Sequence, residues 1–65
     1  MSVTERRALI LAMARARGRV CMGDVKAVLP YWADETLRLD LAHLVRVGEL
    51  EPRGRCRGRW YAVVG

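Results

Sequence analysis

The sequence predicts a small α+β domain in which three helices precede a C-terminal β-hairpin. Two long stretches repeat apolar residues at helical spacing, a shorter one ends at Pro30, and two extended segments flank a turn from Gly54 to Gly58. A chain of 65 residues fits one domain, residues 1–65. The predicted elements are helices at about 3–17, 23–29 and 34–47, a short strand near 19–21, and hairpin strands at about 49–53 and 59–64.

The first helix has a defined beginning and end. Ser2 and Glu5 have the spacing of a capping box, in which the two side chains accept hydrogen bonds from free backbone N–H groups of the first turn. Gly18 is expected to end the helix, because glycine adopts the left-handed conformation that closes many helices. The apolar positions that we expect to face the core are Leu9, Ile10, Met13, and Ala14 or Ala16.

A strand and a short helix follow. Residues 19–21 form an extended segment that we expect to pair with the hairpin as a third strand. Gly23 and Asp24 offer a second N-cap, and Pro30 ends the short helix because proline cannot continue its hydrogen-bond ladder. The residues expected to face inward are Val25, Val28 and Leu29.

The third helix begins near Ala33 or Asp34 and carries the most regular apolar stripe. Gly48 supplies its left-handed C-terminal residue, and Leu50 is expected to return to the core. The stripe follows i, i+4, i+7, i+8 spacing and consists of Leu37, Leu41, Leu44 and Val45. The remaining surface of the helix comprises Thr36, Arg38, Leu39, Ala42, His43 and Arg46.

The charge of the chain favours a polyanionic partner. Basic residues outnumber acidic ones 12 to 7, for a net charge of +5. Coding bias in a GC-rich genome accounts for arginine in place of lysine, since Lys26 is the sole lysine. It does not account for a hairpin loop that carries four arginines and, on the sequence, no counter-charge: Arg53, Arg55, Arg57 and Arg59.

Several classes of protein are disfavoured. Cys21 and Cys56 are too few for a disulfide scaffold and lack metal-ligand spacing. We therefore expect Cys21 to be a small core residue and Cys56 to be an exposed loop thiol, with a redox role for Cys56 left open. The apolar run at residues 8–14 is too short to span a membrane, and no signal peptide is recognisable, which predicts a cytoplasmic protein. No nucleophile, metal set or paired acids converge, so we expect neither an enzyme nor a cofactor.

The order helix, strand, helix, turn, helix, hairpin resembles a winged helix-turn-helix, and the resemblance covers nearly the whole chain. The pattern is closest to the DNA-binding part of DeoR-like repressors, which have a threonine, a hydrophobic residue, two basic residues, then aspartate and leucine. Here the stretch is Thr36-Leu37-Arg38-Leu39-Asp40-Leu41, with Leu44, Gly48 and Leu50 at the later family positions. The resemblance implies that this helix is the recognition helix and that Thr36 and Arg38 contact phosphates or bases.

The chain departs from that pattern at three points. Leu39 replaces a common second basic residue and is expected to meet a thymine methyl or a partner subunit. Ala33 replaces the usual serine cap, which leaves Asp34 to serve the helix N-terminus. Glu35 either interacts with the helix dipole or accepts a hydrogen bond from cytosine N4. Within the motif, Asp40 is expected to pair with a neighbouring arginine, Arg38 or Arg46.

The sequence therefore predicts a small protein that binds double-stranded DNA, as a transcriptional regulator without its own ligand-sensing domain. A homodimer or a partner protein is a further expectation, and a small-molecule substrate or a membrane is not expected. The alternatives are a protein-interaction domain docking through Leu39 and Ala42, and an RNA-binding module. The candidate DNA-binding residues are Glu35, Thr36, Arg38, Leu39, His43 and Arg46 on helix three, and Arg53, Arg55, Arg57 and Arg59 on the hairpin.

Overall fold

A computed structural model describes residues 1–55 and 58–64, and within them the chain is an α+β fold of three helices and one small antiparallel sheet. The class and order of the elements match the sequence prediction, and most boundaries agree to within a residue. The elements are α1 (Val3–Arg17), β1 (Arg19–Val20), α2 (Met22–Val28), α3 (Asp34–Arg46), β2 (Leu50–Arg53) and β3 (Trp60–Val63).

The sheet has the strand order β1-β3-β2, so the last strand lies in the middle. β3 pairs with β2 across the hairpin, with Arg53 opposite Trp60 and Leu50 opposite Val63. On its other edge, β3 pairs with β1, which confirms the predicted third strand. The sheet therefore ties the chain segment between α1 and α2 to the C-terminal hairpin.

α1 has the predicted limits at both ends. The backbone N–H of Glu5 donates to the Ser2 hydroxyl oxygen at 3.1 Å, and the hydroxyl in turn donates to the Glu5 carboxylate at 3.1 Å. At the other end Gly18 has a φ of 84°, the left-handed conformation that closes the helix. Local sequence signals therefore suffice to define this helix.

α2 begins earlier than predicted, because Asp24 is not its N-cap. Cys21 is the N-cap, and Asp24 lies in the first turn, where its carboxylate accepts the Cys21 backbone N–H at 3.1 Å. This hydrogen bond is the largest of the effects that lower the pKa of Asp24. Val25 and Leu29 are buried as predicted, whereas Val28 is 46% exposed because it lies on the flank of this short helix.

The core forms where α1 and α3 cover one face of the sheet. Leu37, Leu41 and Leu44 of the α3 stripe are buried as predicted, while Val45 is half-buried. Leu50 is 2% exposed, which confirms its predicted return to the core. The other buried apolar side chains are Ile10, Ala14, Val20, Val25 and Leu29, and Leu9, Met13 and Trp32 are partly buried against them.

A buried ion-pair cluster joins α1 to α3, and it corrects the prediction that Asp40 pairs with Arg38 or Arg46. Asp40 is 1% exposed and accepts two hydrogen bonds from the Arg6 guanidinium, one of them from Nη2 at 3.0 Å, and one from Arg7 Nε at 3.0 Å. The reason is helical periodicity. Asp40 follows Leu37 by three residues and precedes Leu44 by four, so it lies on the inner face.

Burial, the largest single influence on Asp40, raises the pKa of its carboxyl, but the hydrogen bonds and charges of Arg6 and Arg7 together lower it below its usual value. The Arg6 guanidinium also lies over the Trp32 ring, with Cζ 4.4 Å from the ring centroid. Trp32 is thus partly buried beside the core. The cluster fixes the position of α3 relative to α1.

The start of α3 also differs from the prediction. Ala33 is the N-cap and makes no side-chain capping hydrogen bond, and Asp34 is the first helical residue. Instead of capping the helix, the Asp34 carboxylate lies 3.0 Å from Lys26 Nζ, which also donates to the Trp32 carbonyl oxygen at 2.6 Å. A lysine of α2 therefore holds the turn that leads into α3.

Candidate nucleic-acid interface

The outer face of α3 carries the six helical residues predicted to bind DNA. Four of them, Glu35, Arg38, Leu39 and Arg46, are exposed, and Leu39 is 63% exposed despite its apolar side chain. Thr36 and His43 are half-buried along one edge of the same face. Because the leucine stripe and Asp40 point inward, the structure brings the predicted helical residues together on one surface.

Part of this face is a shallow depression of about 330 Å³ between α3 and α1. Its lining residues are Arg7, Leu39, Ala42, His43 and Arg46. Arg46 Nη2 lies 3.3 Å from His43 Nδ1, so these two predicted site residues are neighbours. Arg7 was missed by sequence reasoning, because nothing in the local pattern of α1 indicates which arginine reaches α3.

The hairpin presents Arg53, Arg55 and Arg59 as exposed side chains. Arg57, a predicted DNA-binding residue, and Cys56, the predicted exposed thiol, lie outside the described residues. The prediction that the loop arginines lack a counter-charge is wrong for Arg53, whose Nη2 lies 3.3 Å from a Glu51 carboxylate oxygen. Residues two apart on a strand share a face, which brings this acid and this base together.

A second cavity, of about 370 Å³, lies where the hairpin loop meets β1 and the start of α2. Arg19 lies over the Trp60 ring, with Cζ 5.1 Å from the ring centroid. Cys21, predicted as a small core residue, is instead half-buried here, because it is the N-cap of α2 and not part of the core. The lining residues are Arg19, Cys21, Asp24, Gly58, Arg59 and Trp60.

Sequence reasoning also missed Arg19, although a signal was present. The segment at residues 19–21 was predicted to pair with the hairpin, and β1 does so. An arginine on that strand is therefore expected to lie near the cationic loop. The half-buried Trp60 ring is part of the same arrangement and stacks with this arginine.

The acidic residues are distributed unevenly over these surfaces. Asp40 contacts Arg6 and Arg7, and Glu51 contacts Arg53. Three further ion pairs are Arg17–Asp24 at 3.0 Å, Lys26–Asp34 at 3.0 Å and Arg15–Glu49 at 3.4 Å. Within residues 1–55 and 58–64, the arginines with no carboxylate at ion-pair distance are Arg19, Arg38, Arg46, Arg55 and Arg59.

The arginines without an acidic partner in the described ranges therefore lie at two places. One is the outer face of α3, where Arg38 and Arg46 flank Leu39, and the other is the hairpin with the adjoining β1 edge. The α3 face also carries the exposed Glu35 and the hairpin carries Glu51, but the arginines outnumber the acids on each surface. An excess of exposed cations attracts polyanions over distances of about 10 Å at moderate ionic strength. Both surfaces are thus suited chemically to contact phosphate groups.

No protein-family description, no characterised protein and no solved structure matches this chain. Among the helices in the described ranges, none combines the length and apolar character needed to cross a membrane. Residues 1–55 and 58–64 contain no group of three or more His, Cys, Asp or Glu side chains placed to hold a metal ion.

Proposed function

We propose that this protein binds double-stranded DNA as a winged helix-turn-helix transcriptional regulator. In this proposal α3 enters the major groove, and the β2–β3 hairpin contacts the phosphate backbone or the adjacent minor groove. The three helices, the strand order β1-β3-β2 and the hairpin after the third helix are compatible with that arrangement.

The observation that carries the proposal is where the unpaired positive charge lies. Acidic side chains contact the cations that join the elements of the fold, while Arg38 and Arg46 on α3 and Arg55 and Arg59 on the hairpin have no such partner in the described part of the chain. Glu35 and Glu51 lie on the same two elements, but the arginines there outnumber them. An excess of arginine on a helix and on the hairpin that follows it suits contact with a DNA groove and its phosphate backbone.

The dimensions of α3 support the assignment of the groove. Its 13 residues make a rod of about 20 Å, and the B-DNA major groove, about 12 Å wide, admits one helix. Leu39 and Ala42 form the apolar centre of the outer face, which suits contact with thymine methyl groups. Arg38 is assigned to base edges, and Arg46 and His43 to the backbone.

Fluorescence anisotropy with a labelled duplex at several salt concentrations tests the proposal. With four phosphate contacts, log affinity falls by about 0.9 per contact per log unit of salt, which is roughly a 150-fold loss between about 50 and 200 mM. Duplex RNA of the same sequence, used as a competitor, should displace the labelled DNA poorly. Absent or salt-independent binding would rule the proposal out, and stronger competition by RNA would favour the RNA-binding alternative.

One observation favours a second candidate, a protein-interaction domain. Leu39 is 63% exposed beside Ala42, in a depression that an apolar side chain of a partner protein would fill. The substitution Leu39→Arg separates the two candidates. It removes the proposed contact with a thymine methyl group but adds a cation facing the phosphates, so binding to random duplex DNA is retained or strengthened, whereas docking of an apolar partner is lost.

A further inference from the structure

The cavity at the base of the hairpin loop brings together two arginines from different elements. Arg19 enters from β1, and Arg59 immediately precedes β3. We propose that this cavity of about 370 Å³ binds a backbone phosphate of duplex DNA through Arg19 and Arg59, with the Trp60 ring as its apolar wall. The inference rests on the proposed function and adds to it a contact from β1, outside α3 and the hairpin.

Arg19 is held in position before any ligand arrives. Its residue lies opposite Ala62 in the sheet, so Trp60 is the diagonal neighbour two residues along β3. The guanidinium stacks on that ring at 5.1 Å from the centroid. Because the stacked side chain has already lost much of its freedom, binding a phosphate immobilises it at a smaller entropic cost.

The acid in this cavity does not neutralise the two arginines. Asp24 accepts the Cys21 backbone N–H at 3.1 Å and lies 3.0 Å from Arg17 Nη1. Its charge is thus already balanced by Arg17, whereas Arg19 and Arg59 have no carboxylate at ion-pair distance within the described ranges. Two free guanidinium groups supply the fork-shaped N–H donors that match phosphate oxygens.

The apolar wall favours a nucleic-acid phosphate over a free one. Trp60 is half-buried and faces the cavity beside the two cations. Inorganic phosphate has no group that gains from contact with an indole ring, while a deoxyribose next to a bound phosphodiester packs against it. The cavity therefore fits a backbone phosphate with its attached sugar.

The test compares the salt dependence of duplex binding for the wild type and three variants. Arg19→Ala removes one unpaired charge, Arg15→Ala removes one charge that is paired with Glu49, and Arg19→Lys keeps a charge at position 19. We expect the slope of log affinity against log salt to become shallower by about 0.9 for Arg19→Ala and to stay unchanged for the other two. Thermal melting followed by circular dichroism verifies that each variant is folded.

The possible results separate the two proposals. If the wild type binds duplex DNA but Arg19→Ala and Arg15→Ala have the same slope, the cavity is not a phosphate site and the proposed function stands. If the wild type does not bind duplex DNA, both proposals fail. Saturable binding of inorganic phosphate in the absence of DNA, lost in Arg19→Ala, would assign the cavity to the free anion and overturn the assignment to the DNA backbone.

Discussion

The basic side chains of this protein fall into two sets. Members of the first set lie within ion-pair distance of acids, and several of them join elements, as Arg6 and Arg7 of α1 do with Asp40 of α3. Lys26 of α2 likewise contacts Asp34 at the start of α3. The second set has no acid within that distance in the described part of the chain, and its members lie on the outer face of α3, on the hairpin and on β1: Arg38, Arg46, Arg55, Arg59 and Arg19.

The difference shows that net charge alone says little about where a polyanion binds. All twelve basic residues contribute equally to the net charge of +5, yet within residues 1–55 and 58–64 six of them lie at ion-pair distance from a carboxylate. An arginine engaged by a carboxylate offers a phosphate little net attraction, because the acid repels the same anion. We therefore expect the two sets to differ in their energetic roles, the first in the stability of the fold and the second in the binding of phosphate.

The largest effect is expected from Asp40→Ala, which breaks the buried cluster. Arg6 is 5% exposed and would keep its charge without a counter-charge. Removing one partner of a buried pair lowers the free energy of unfolding by about 3–5 kcal/mol, which brings a domain of this size close to unfolding. Urea denaturation followed by circular dichroism measures the change.

The matched control is Glu49→Ala. Its partner Arg15 and Glu49 itself are 62% and 45% exposed, so the free energy of unfolding should change by less than about 1 kcal/mol. Equal losses in the two variants would show that burial does not distinguish these ion pairs.

A large effect on binding is expected from the double variant Arg55→Ala/Arg59→Ala. Loss of two charge-assisted contacts at about 1.5 kcal/mol each weakens duplex binding roughly a hundredfold, and the salt slope becomes shallower by about 1.8. The control is Arg15→Ala/Arg17→Ala, which removes two charges that are paired with Glu49 and Asp24. Similar slopes for both double variants would mean that paired and unpaired arginines contribute alike.

A smaller effect is expected from Gly54→Ala, which tests whether the loop carrying the unpaired arginines depends on backbone geometry. Gly54 has a φ of 74°, and a Cβ at this position would overlap the carbonyl oxygen of Gly58. Gly48 has a similar φ of 83° but open space around it. We expect Gly48→Ala to lower stability by about 1–2 kcal/mol and Gly54→Ala by more, as measured by thermal melting. A larger loss of stability for Gly48→Ala than for Gly54→Ala would show that the loop accommodates the added Cβ at little cost.

The smallest effect concerns acid sensitivity. The Cys21 backbone hydrogen bond, with Arg17, lowers the pKa of Asp24 in the folded state below its unfolded value of about 3.9. The unfolded chain therefore binds more protons, so this stabilisation is present above about pH 4 and is lost as the pH falls through the folded pKa.

Asp24→Asn should reduce the loss of stability on acidification by less than about 1 kcal/mol, as measured by urea midpoints at about pH 3 and pH 7. Asp40, whose pKa is also lowered, makes both proteins acid-sensitive to the same extent. An identical loss in the wild type and the variant would mean that Asp24 does not contribute.

The sequence predicts those parts of the fold that local signals determine. The bounds of α1 follow from its capping residues and its terminal glycine, and the buried face of α3 follows from the spacing of Leu37, Leu41 and Leu44. The third strand is also predictable, because a short extended segment can pair with the unpaired edge of a hairpin. The helix bounds and the stripe depend on neighbours within a few residues or on one period of a helix, whereas the pairing of β1 with β3 joins Arg19 to Ala62 and follows from the order of the elements.

What the sequence does not predict is which charges meet across the fold. The partners of Asp40 lie 33 and 34 residues away on α1, and local spacing favoured Arg38 or Arg46 instead. The same limit explains why Arg7 was missed as part of the candidate interface. Ion pairs between elements depend on how two helices rotate about their axes, and periodicity in one helix does not specify the orientation of another.

Arg7 has a dual position whose consequence is measurable. Its Nε donates to the buried Asp40, while its side chain, 30% exposed, also lines the depression beside Leu39. An anion that occupies this depression would meet a guanidinium that is already part of the structural framework. A ligand that binds only the native form raises the melting temperature, by an amount that grows with the logarithm of its concentration relative to Kd. Differential scanning fluorimetry against candidate oligonucleotides would thus rank them without any label.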